Sequence, residues 1–393
     1  MKRPLTLPLI LILLTFSFST SYPSSLPLNW IQIFPEPTVW MGREVHPSCS
    51  GGPTCSGLPP SCYPGDTTFS FFVKGGPLNH LVLFFNGGGA CWDSMNCLYF
   101  GTYSKEIGVT VDSLNHAGGI FDAKNPSNPF KNWNFVFIPY CTGDFHWGSR
   151  DEPYPDELNR FEGEAVTIHH RGFDNFWVVL KWMMEHFIAP EKIFVTGSSA
   201  GSFGALLGFT YIQKAYPDSE VNLLGDSGVG VLSEDFRNND IHHWGFEQNM
   251  PFWIPGFNRP FSEYSISEMY KMIADAYPQS KIAQYSTAYD STQILFYNMM
   301  LNTDNPWEWK KTSSVRCDWH NQMVAYIGEA AEASNYRYYI GKGEDHTVMG
   351  SRKFYKEDSA DLSFVEWVTS MVGNPDTLPW ENGACEGCMD LCR

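Results

Sequence analysis

The chain has 393 residues, of which 43 are acidic and 26 basic, so its formal net charge is −17 at pH 7. A surface of that charge repels phosphate backbones, which argues against a nucleic-acid-binding protein. The length exceeds the ~100–200 residues of an average domain. Because no linker, repeat or charge block marks a boundary, we expect one elaborated domain rather than two.

The N-terminus has the features of a secretory signal peptide. Lys2 and Arg3 precede an apolar run from Leu5 to Phe18, and small polar residues follow. The run is shorter than the ~20 residues that a transmembrane anchor needs, and no later segment is long and apolar enough to span a bilayer. We therefore predict that residues 1–21 are removed. The expected product, residues 22–393, is secreted (extracellular, or periplasmic in a Gram-negative cell) and has no stable membrane anchor.

Short apolar runs alternate with helical patterns along the chain. The predicted strands lie at residues 80–85, 132–141, 192–197 and 220–228, with a late strand followed by a loop in 334–346, and the predicted helices lie at 173–187 and 202–216. Strands of 4–8 residues alternating with helices indicate an α/β protein with a mostly parallel sheet covered on both faces. Polar and glycine-rich residues follow several of these strands, at the edge where open α/β sheets place their ligand sites.

The segment 235–320 is less regular and rich in Trp, Phe, Tyr and Pro. We interpret it as a mostly helical cap or wall beside that edge, with a possible strand at residues 281–289. Its aromatic residues favour core packing, and sugar stacking is the alternative.

Ten cysteines, an even number in an exported chain, indicate disulfides. A short pair such as Cys91 with Cys97 is plausible, but the sequence does not fix the full pairing. The Cys-rich tail, 381–393, contains CEGCMDLC, which resembles a metal knuckle. Three thiolates without a clear fourth ligand make a weak zinc site, so we predict disulfides there and no metal.

The stretch KIFVTGSSAGSFGALL predicts a strand, a sharp turn and a helix, with Ser199 at the apex of a G-x-S-x-G pattern. A serine on such a turn holds its hydroxyl clear of the backbone as a nucleophile, and small neighbours permit the turn. The N–H of Ala200 would then face an oxyanion at the start of the helix. The competing interpretation is a structural hinge that lets the helix lie close to the sheet.

A second oxyanion donor is expected from the loop after an earlier strand. Gly87, Gly88 and Gly89 follow the strand at 80–85, and without side chains their N–H groups approach an oxygen closely. A simple glycine turn is the alternative.

The base and the acid must come from elsewhere in the chain. His346 follows a late strand in a glycine-bearing loop, where the chain order Ser, acid, His places the base. His146, with Asp144, lies before the serine and is expected to line the site or satisfy a loop. Asp226 and Asp290 both lie between Ser199 and His346, and position alone leaves the choice of acid open.

Six motifs in order resemble the pectinacetylesterase and Notum family of serine carboxylesterases: NGGGAC, YCTGD, VTGSSAGSFGALL, GDSG, YDSTQ and DHTVM. The resemblance implies an α/β-hydrolase-like fold and ester hydrolysis through an acyl-enzyme, without a cofactor. It places the triad on Ser199, Asp290 and His346 and the oxyanion donors on Gly88, Gly89 and Ala200. It leaves Asp226 as a support under the site.

The sequence departs from the family at the glycine loop. Family loops often read Glu-Gly-Gly-Gly-Trp-Cys, whereas Asn86 and Ala90 stand here in place of the acid and the tryptophan. A smaller residue at 90 should change the pocket, so the family's acyl preference does not carry over. We also place Asn86, Asp144, His146 and Asp226 among residues that could line the site.

Three functions remain open at this stage. The first is deacetylation of a cell-wall polysaccharide such as pectin, although the negative charge of the chain disfavours a polyanionic substrate. The second is hydrolysis of lipids, lipidated proteins or small esters. The third is a catalytically silent, disulfide-stapled binding protein.

Overall fold

A computed structural model describes residues 26–56, 61–63, 65–373 and 379–392. The predicted signal peptide, residues 1–21, lies outside the described residues. Within them, no helix is both long enough and apolar enough to cross a membrane.

The described strands, numbered in chain order, are β1 Ile31–Ile33, β2 Thr38–Trp40, β3 Arg43–Val45, β4 Thr54–Ser56, β5 Ser61–Tyr63, β6 Phe71–Lys74, β7 His80–Phe85, β8 Asn134–Ile138, β9 Arg150–Tyr154, β10 Val166–His170, β11 Lys192–Ser198, β12 Glu220–Asp226, β13 Ile282–Thr287, β14 Tyr336–Gly341 and β15 Gly383–Ala384. The described α-helices are α1 Val111–Asn115, α2 Gly172–His186, α3 Ala200–Ala215, α4 Glu234–Asn238, α5 Ile266–Ala276, α6 Ser291–Leu301, α7 Arg316–Ala330 and α8 Phe364–Val372.

A nine-stranded sheet organises the described residues in the order β1-β6-β8-β7-β11-β12-β13-β14-β15. The pairs from β8 to β15 are all parallel, and β1 and β6 pair antiparallel at one edge. Three small antiparallel pairs, β2–β3, β4–β5 and β9–β10, lie outside this sheet. The prediction of a mostly parallel α/β sheet is confirmed.

Side chains of the central strands alternate between two buried cores, one on each face of the sheet. In β7, Leu81 and Leu83 face the core that contains α2 and α3, whereas Val82 and Phe84 face the core that contains α8. Both faces are therefore covered by helices, which explains why these strands are apolar along their whole length.

The segment 235–320 departs from the expectation of a mostly helical cap. It contributes α5, α6 and part of α7, but it also carries β13, which pairs with β12 and β14 in the middle of the sheet. All six residues of β13 are buried, so the segment supplies part of the core as well as a wall beside the sheet edge.

Disulfides join the loops as the cysteine content predicts. In the part of the chain whose side chains the structure describes, the pairs are Cys49–Cys141, Cys91–Cys97, Cys317–Cys392 and Cys385–Cys388. The tail is tied to α7, and its short strand β15 extends the sheet beside β14.

Candidate active site

Ser199 lies on the sharp turn between β11 and α3, at the C-terminal edge of the parallel strands. Its backbone has φ 58° and ψ −126°, a conformation that is strained for a residue with a side chain. Glycines make the turn possible: a Cβ at Gly197 would come within 2.1 Å of the carbonyl oxygen of Gly201, and a Cβ at Gly201 within 2.0 Å of that of Phe85. The Ser199 N–H donates to the carbonyl of Asp226 at 2.7 Å, which anchors the turn to β12.

His346 and Asp290 meet at the same edge of the sheet. Nδ1 of His346 lies 2.9 and 2.8 Å from the two carboxylate oxygens of Asp290. Asp290 is fully buried, and it caps the N-terminus of α6 by accepting the N–H groups of Thr292 and Gln293. Because the Asp290 carboxylate accepts from Nδ1, Nε2 of a neutral His346 ring carries no proton and is free to act as a base.

Asp226 occupies a different position from Asp290. Its buried carboxylate accepts from Oγ of Ser198 at 2.7 Å and from the N–H groups of Val348 and Met349 at 3.0 Å. Burial raises the pKa of Asp226, and these hydrogen bonds act in the opposite direction. The carboxylate thus links the nucleophile turn to the loop that carries His346, without touching the imidazole.

The glycine loop passes directly beside Ser199. A Cβ at Gly87 would lie 2.7 Å from Cβ of Ser199, and a Cβ at Gly89, where φ is +77°, would lie 2.0 Å from the carbonyl oxygen of Thr102. In the described part of the chain, the N–H groups of Gly88, Gly89 and Ala200 donate to no other group. Gly89 and Ala200 also line the cavity at Ser199, so their N–H groups are placed where an oxyanion would need donors.

One cavity brings Ser199 and His346 together. Ser199 and His346 both line it, and its empty space is about 450 Å³ including the open mouth. Nε2 of His346 is almost completely buried and has no hydrogen-bond partner among the described residues. Most of the remaining wall is apolar, made by Phe145, Phe203, Val231, Leu232, Phe296, Tyr297, Met300 and Trp319.

Four residues that the sequence placed as possible site-lining residues lie behind this wall rather than on it. Asn86, Asp144, His146 and Asp226 do not line the cavity. The ring of His146 is buried, and its Nε2 lies 2.9 Å from the carbonyl of Asn86, so it supports the start of the glycine loop.

Burial has opposite effects on two neighbouring groups in this supporting layer. It lowers the pKa of His146 to about 4 and raises that of Asp144 to about 6. Asp144 accepts from Oγ1 of Thr142 at 2.6 Å and from the N–H of Gly172 at 2.7 Å. The hydrogen bonds of Asp144 and His146 are therefore structural ones.

A metal-ligand geometry occurs at one place in the described residues, formed by Cys91, Cys97 and His170. The two cysteines form a disulfide, so neither offers a thiolate. Near the cavity, the donors are a serine, a histidine paired to a carboxylate and backbone N–H groups, a set suited to acyl transfer.

Comparison with known proteins identifies the family. The pectinacetylesterase family model matches residues 61–359. The chain belongs to this family. It is 24% identical to pectin acetylesterase 11 of Arabidopsis thaliana over 327 residues, which cover 76% of this chain and 79% of that protein.

Two further relatives extend the comparison to the Notum branch. The chain is 28% identical to the human palmitoleoyl-protein carboxylesterase NOTUM over 167 residues, which span 40% of this chain but only 32% of that protein. The solved structure of the Wnt deacylase Notum from Drosophila is similar over 91% of this chain and 96% of that one, with a TM-score of 0.56 and 16% sequence identity. That likeness confirms the α/β-hydrolase-like fold. Membership of the family makes the protein a carboxylic-ester hydrolase.

The sequence indicated a wall in the segment 235–320 but did not identify the residues that form the apolar wall of the cavity. Three of its members, Phe296, Tyr297 and Met300, lie on α6, whose apolar residues surround the helix instead of forming one stripe. No periodicity distinguishes those that face the cavity from those that face the core. The sequence signal that was available is the helix N-cap at Asp290, which fixes where α6 begins.

Proposed function

We propose that the protein is a serine esterase in which Ser199 is the nucleophile, His346 the general base and Asp290 the residue that orients the base. The observation that carries this proposal is the pairing of His346 with Asp290 in a cavity that also contains Ser199. The strained turn supports the same assignment, because a strained serine at a sheet edge is typical of a nucleophile elbow.

In the proposed reaction, Nε2 of His346 removes the hydroxyl proton as Ser199 attacks the ester carbonyl. The carboxylate of Asp290 stabilises the imidazolium that forms. The N–H groups of Gly88, Gly89 and Ala200 hold the oxyanion, and each donor of this kind is worth about 3 kcal/mol. The alcohol leaves with the proton from His346, and water activated by the same ring then releases the acid.

The proposed substrate is an acetylated cell-wall polysaccharide such as pectin. The support is the match to a plant pectin acetylesterase along most of the length of both chains. The predicted signal peptide, together with the disulfides, supports secretion, where such a polymer would be met.

A longer acyl group is the second candidate, and the apolar cavity favours it. The side chains of Phe145, Phe203 and Phe296, among others, surround the space beside Ser199. Each methylene buried there would contribute about 0.8 kcal/mol, so specificity would rise about four-fold per added carbon until the cavity is full. Human NOTUM, by its name a palmitoleoyl-protein carboxylesterase, is a relative on this side of the family.

Two measurements test these proposals. Ser199→Ala should lower kcat for p-nitrophenyl acetate by at least about 10,000-fold, whereas Ser198→Ala, a matched control one residue away, should stay within about ten-fold of the parent. Full activity of the Ser199→Ala variant would remove the nucleophile assignment. A series of p-nitrophenyl esters from acetate to octanoate then separates the substrates: a maximum at acetate supports the deacetylase, and a rise with chain length supports the deacylase.

A further inference from the structure

An exposed pair of aromatic rings, Trp307 and Phe100, lies near the glycine loop, because Phe100 is two residues from Thr102, whose carbonyl oxygen lies against Gly89. Trp307 is 79% exposed and Phe100 is 42% exposed, and their ring centroids are 6.5 Å apart. The ring of the buried Trp309 packs edge-on against Phe100 at 5.2 Å. An indole that is so exposed is unusual, and exposed apolar patches of this kind mark binding surfaces.

The aromatic pair is joined through Trp309 to the end of α6, where a groove lies beside the cavity at Ser199. The indole N–H of Trp309 donates to the carbonyl of Asn302 at 2.8 Å, and Asn302 lines a groove whose empty space is about 840 Å³ including the open mouth. The groove residues are Ser233, Glu234, Asp235, Met300, Leu301, Asn302, Thr303, Asp304 and Asn305. Met300 lines both the groove and the cavity that contains Ser199, so the two spaces share a wall.

The composition of this surface favours a sugar chain over other ligands. A flat exposed indole offers a face against the C–H groups of a pyranose ring, while carboxylate, amide and hydroxyl side chains can hydrogen-bond sugar hydroxyls. The groove carries three acidic residues, Glu234, Asp235 and Asp304, and no basic residue. These charges would repel a polyuronide or an anionic membrane surface, so this surface disfavours pectin, the polymer named above, and favours a neutral acetylated polysaccharide.

We infer that Trp307 and Phe100, together with the groove 233–235 and 300–305, form a subsite for the neutral glycan chain that carries the ester. This inference rests on the proposed function and specifies the polymer side of the substrate. The acyl group occupies the apolar cavity at Ser199, and neighbouring sugar units extend along the groove to the aromatic pair. Binding of the polymer there lengthens the time that its ester spends beside Ser199. The subsite therefore raises kcat/KM for polymers and leaves kcat/KM for small esters unchanged.

The first test compares a polymeric with a small substrate. Trp307→Ala should lower the ratio of kcat/KM for acetylated xylan to kcat/KM for p-nitrophenyl acetate by about ten-fold, mainly through KM for xylan. Trp253→Ala is the matched control, because Trp253 is also exposed, at 39%, but packs on Tyr211 and Tyr277, which line neither the groove nor the cavity. This variant should leave the ratio unchanged. An unchanged ratio in Trp307→Ala, or the same fall in both variants, would overturn the subsite.

A second test does not depend on turnover. Ser199→Ala protein should be retarded in a native gel that contains acetylated xylan, and Ser199→Ala/Trp307→Ala protein should not. This result would stand even if the enzyme proved to hydrolyse another ester, so failure of the subsite and failure of the proposed function are distinguishable. Equal retardation of both proteins would refute a glycan at this surface. So would a Trp307→Ala change that leaves binding to xylan intact but abolishes binding to phosphatidylcholine vesicles.

The acidic groove gives a third test. Replacing Glu234, Asp235 and Asp304 together by Gln, Asn and Asn should raise kcat/KM for acetylated pectin several-fold at low salt while changing that for acetylated xylan little. A loss on both polymers would mean that the carboxylates bind sugar hydroxyls directly, which also supports the subsite. No change on either polymer would remove the groove from it.

Discussion

Replacing Asp290 with Asn tests the proposed triad with a minimal change of shape. The fully buried carboxylate accepts hydrogen bonds from the N–H groups of Thr292 and Gln293, from Nε2 of Gln293 and from Nδ1 of His346, at 2.8–3.0 Å. An Asn side chain keeps one of its two oxygens and replaces the other by an NH2 group. If that group faces Nδ1, the ring must accept there and carry its proton on Nε2, where it can no longer take one from Ser199.

The expected loss follows from the wrong tautomer together with the missing charge on the carboxylate. In enzymes of this kind an Asp-to-Asn change at the triad costs about 10,000-fold in kcat, which is about 5.4 kcal/mol at 1.36 kcal/mol per decade. The backbone cap of α6 persists through the remaining oxygen of residue 290, so the fold should survive. We therefore expect a fall of about 1,000- to 10,000-fold in kcat for Asp290→Asn with little change in KM.

The assay is steady-state hydrolysis of p-nitrophenyl acetate, with circular dichroism to confirm folding and Asp226→Asn as the comparison. The Asp226 carboxylate accepts hydrogen bonds from four donors, the hydroxyls of Ser198 and Ser227 and the N–H groups of residues 348 and 349, but it does not touch the imidazole. Asp226→Asn should therefore cost about 1–3 kcal/mol of stability and lower kcat less than Asp290→Asn does. If folded Asp290→Asn protein keeps kcat within ten-fold of the parent, the reasoning is refuted. A larger loss for Asp226→Asn than for Asp290→Asn, with both proteins folded, would exchange their roles.

Three further predictions concern the residues around the site. Gly89→Ala should lower kcat/KM for p-nitrophenyl acetate by at least about 100-fold, because its Cβ would overlap a neighbouring carbonyl oxygen. The control is Gly101→Ala, which is also at positive φ but has open space around it and should cost only about 1 kcal/mol of stability. Equal losses of activity in the two variants would contradict the role of Gly89. The pKa of His146 lies at about 4 in the fold, so between pH 6.5 and 4 the unfolded chain binds a proton that the folded chain does not, and stability falls as the pH falls. The difference in urea-unfolding free energy between the parent and His146→Gln should therefore shrink by about 2 kcal/mol from pH 7 to pH 4.5, and a pH-independent difference would be contrary evidence. Cys317→Ser should lower the free energy of unfolding by about 2–4 kcal/mol, and adding Cys392→Ser should lower it no further, since both remove one disulfide.

The elements that the sequence predicted well are those with strong local signals. β7 was predicted at residues 80–85 and is observed as His80–Phe85, and the predicted strand, turn and helix around Ser199 are observed as β11 and α3. Continuous apolar runs that end in glycines mark strands buried on both faces, whose exits must turn sharply. In such runs the local pattern and the tertiary environment require the same residues.

The elements that escaped prediction depend on distant parts of the chain. β15 has only two residues, and it exists because it pairs with β14 more than 40 positions earlier in the chain. β13 was predicted only as a possible strand, at residues 281–289, within a segment interpreted as mostly helical. Its buried residues include Gln284, Ser286 and Thr287, which lowers its apolar content and weakens the strand signal.

The two carboxylates show why the acid could not be chosen from local sequence alone. Both follow a parallel strand, Asp226 at the end of β12 and Asp290 three residues beyond β13, and both end up buried within a few ångströms of the loop that carries His346. What separates them is direction: Asp290 faces the ring, whereas Asp226 faces Ser198 and the backbone of residues 348–349. Direction depends on the register of the sheet and on the N-cap of α6, and neither can be derived from the spacing of residues.

This arrangement also separates the parts of the site that must stay fixed from the parts that can vary. The nucleophile turn and the histidine loop are held to each other through Asp226, and the base is held to α6 through Asp290, so the distances that matter for proton transfer depend on buried hydrogen bonds at the sheet edge. The apolar part of the cavity wall, which includes Phe296 and Met300 of α6 and Val231 and Leu232, takes no part in those bonds. Substitutions in the wall can therefore change which acyl group is accepted while the proton-transfer geometry is preserved, so a family with one set of site residues can act on both acetyl and long-chain esters.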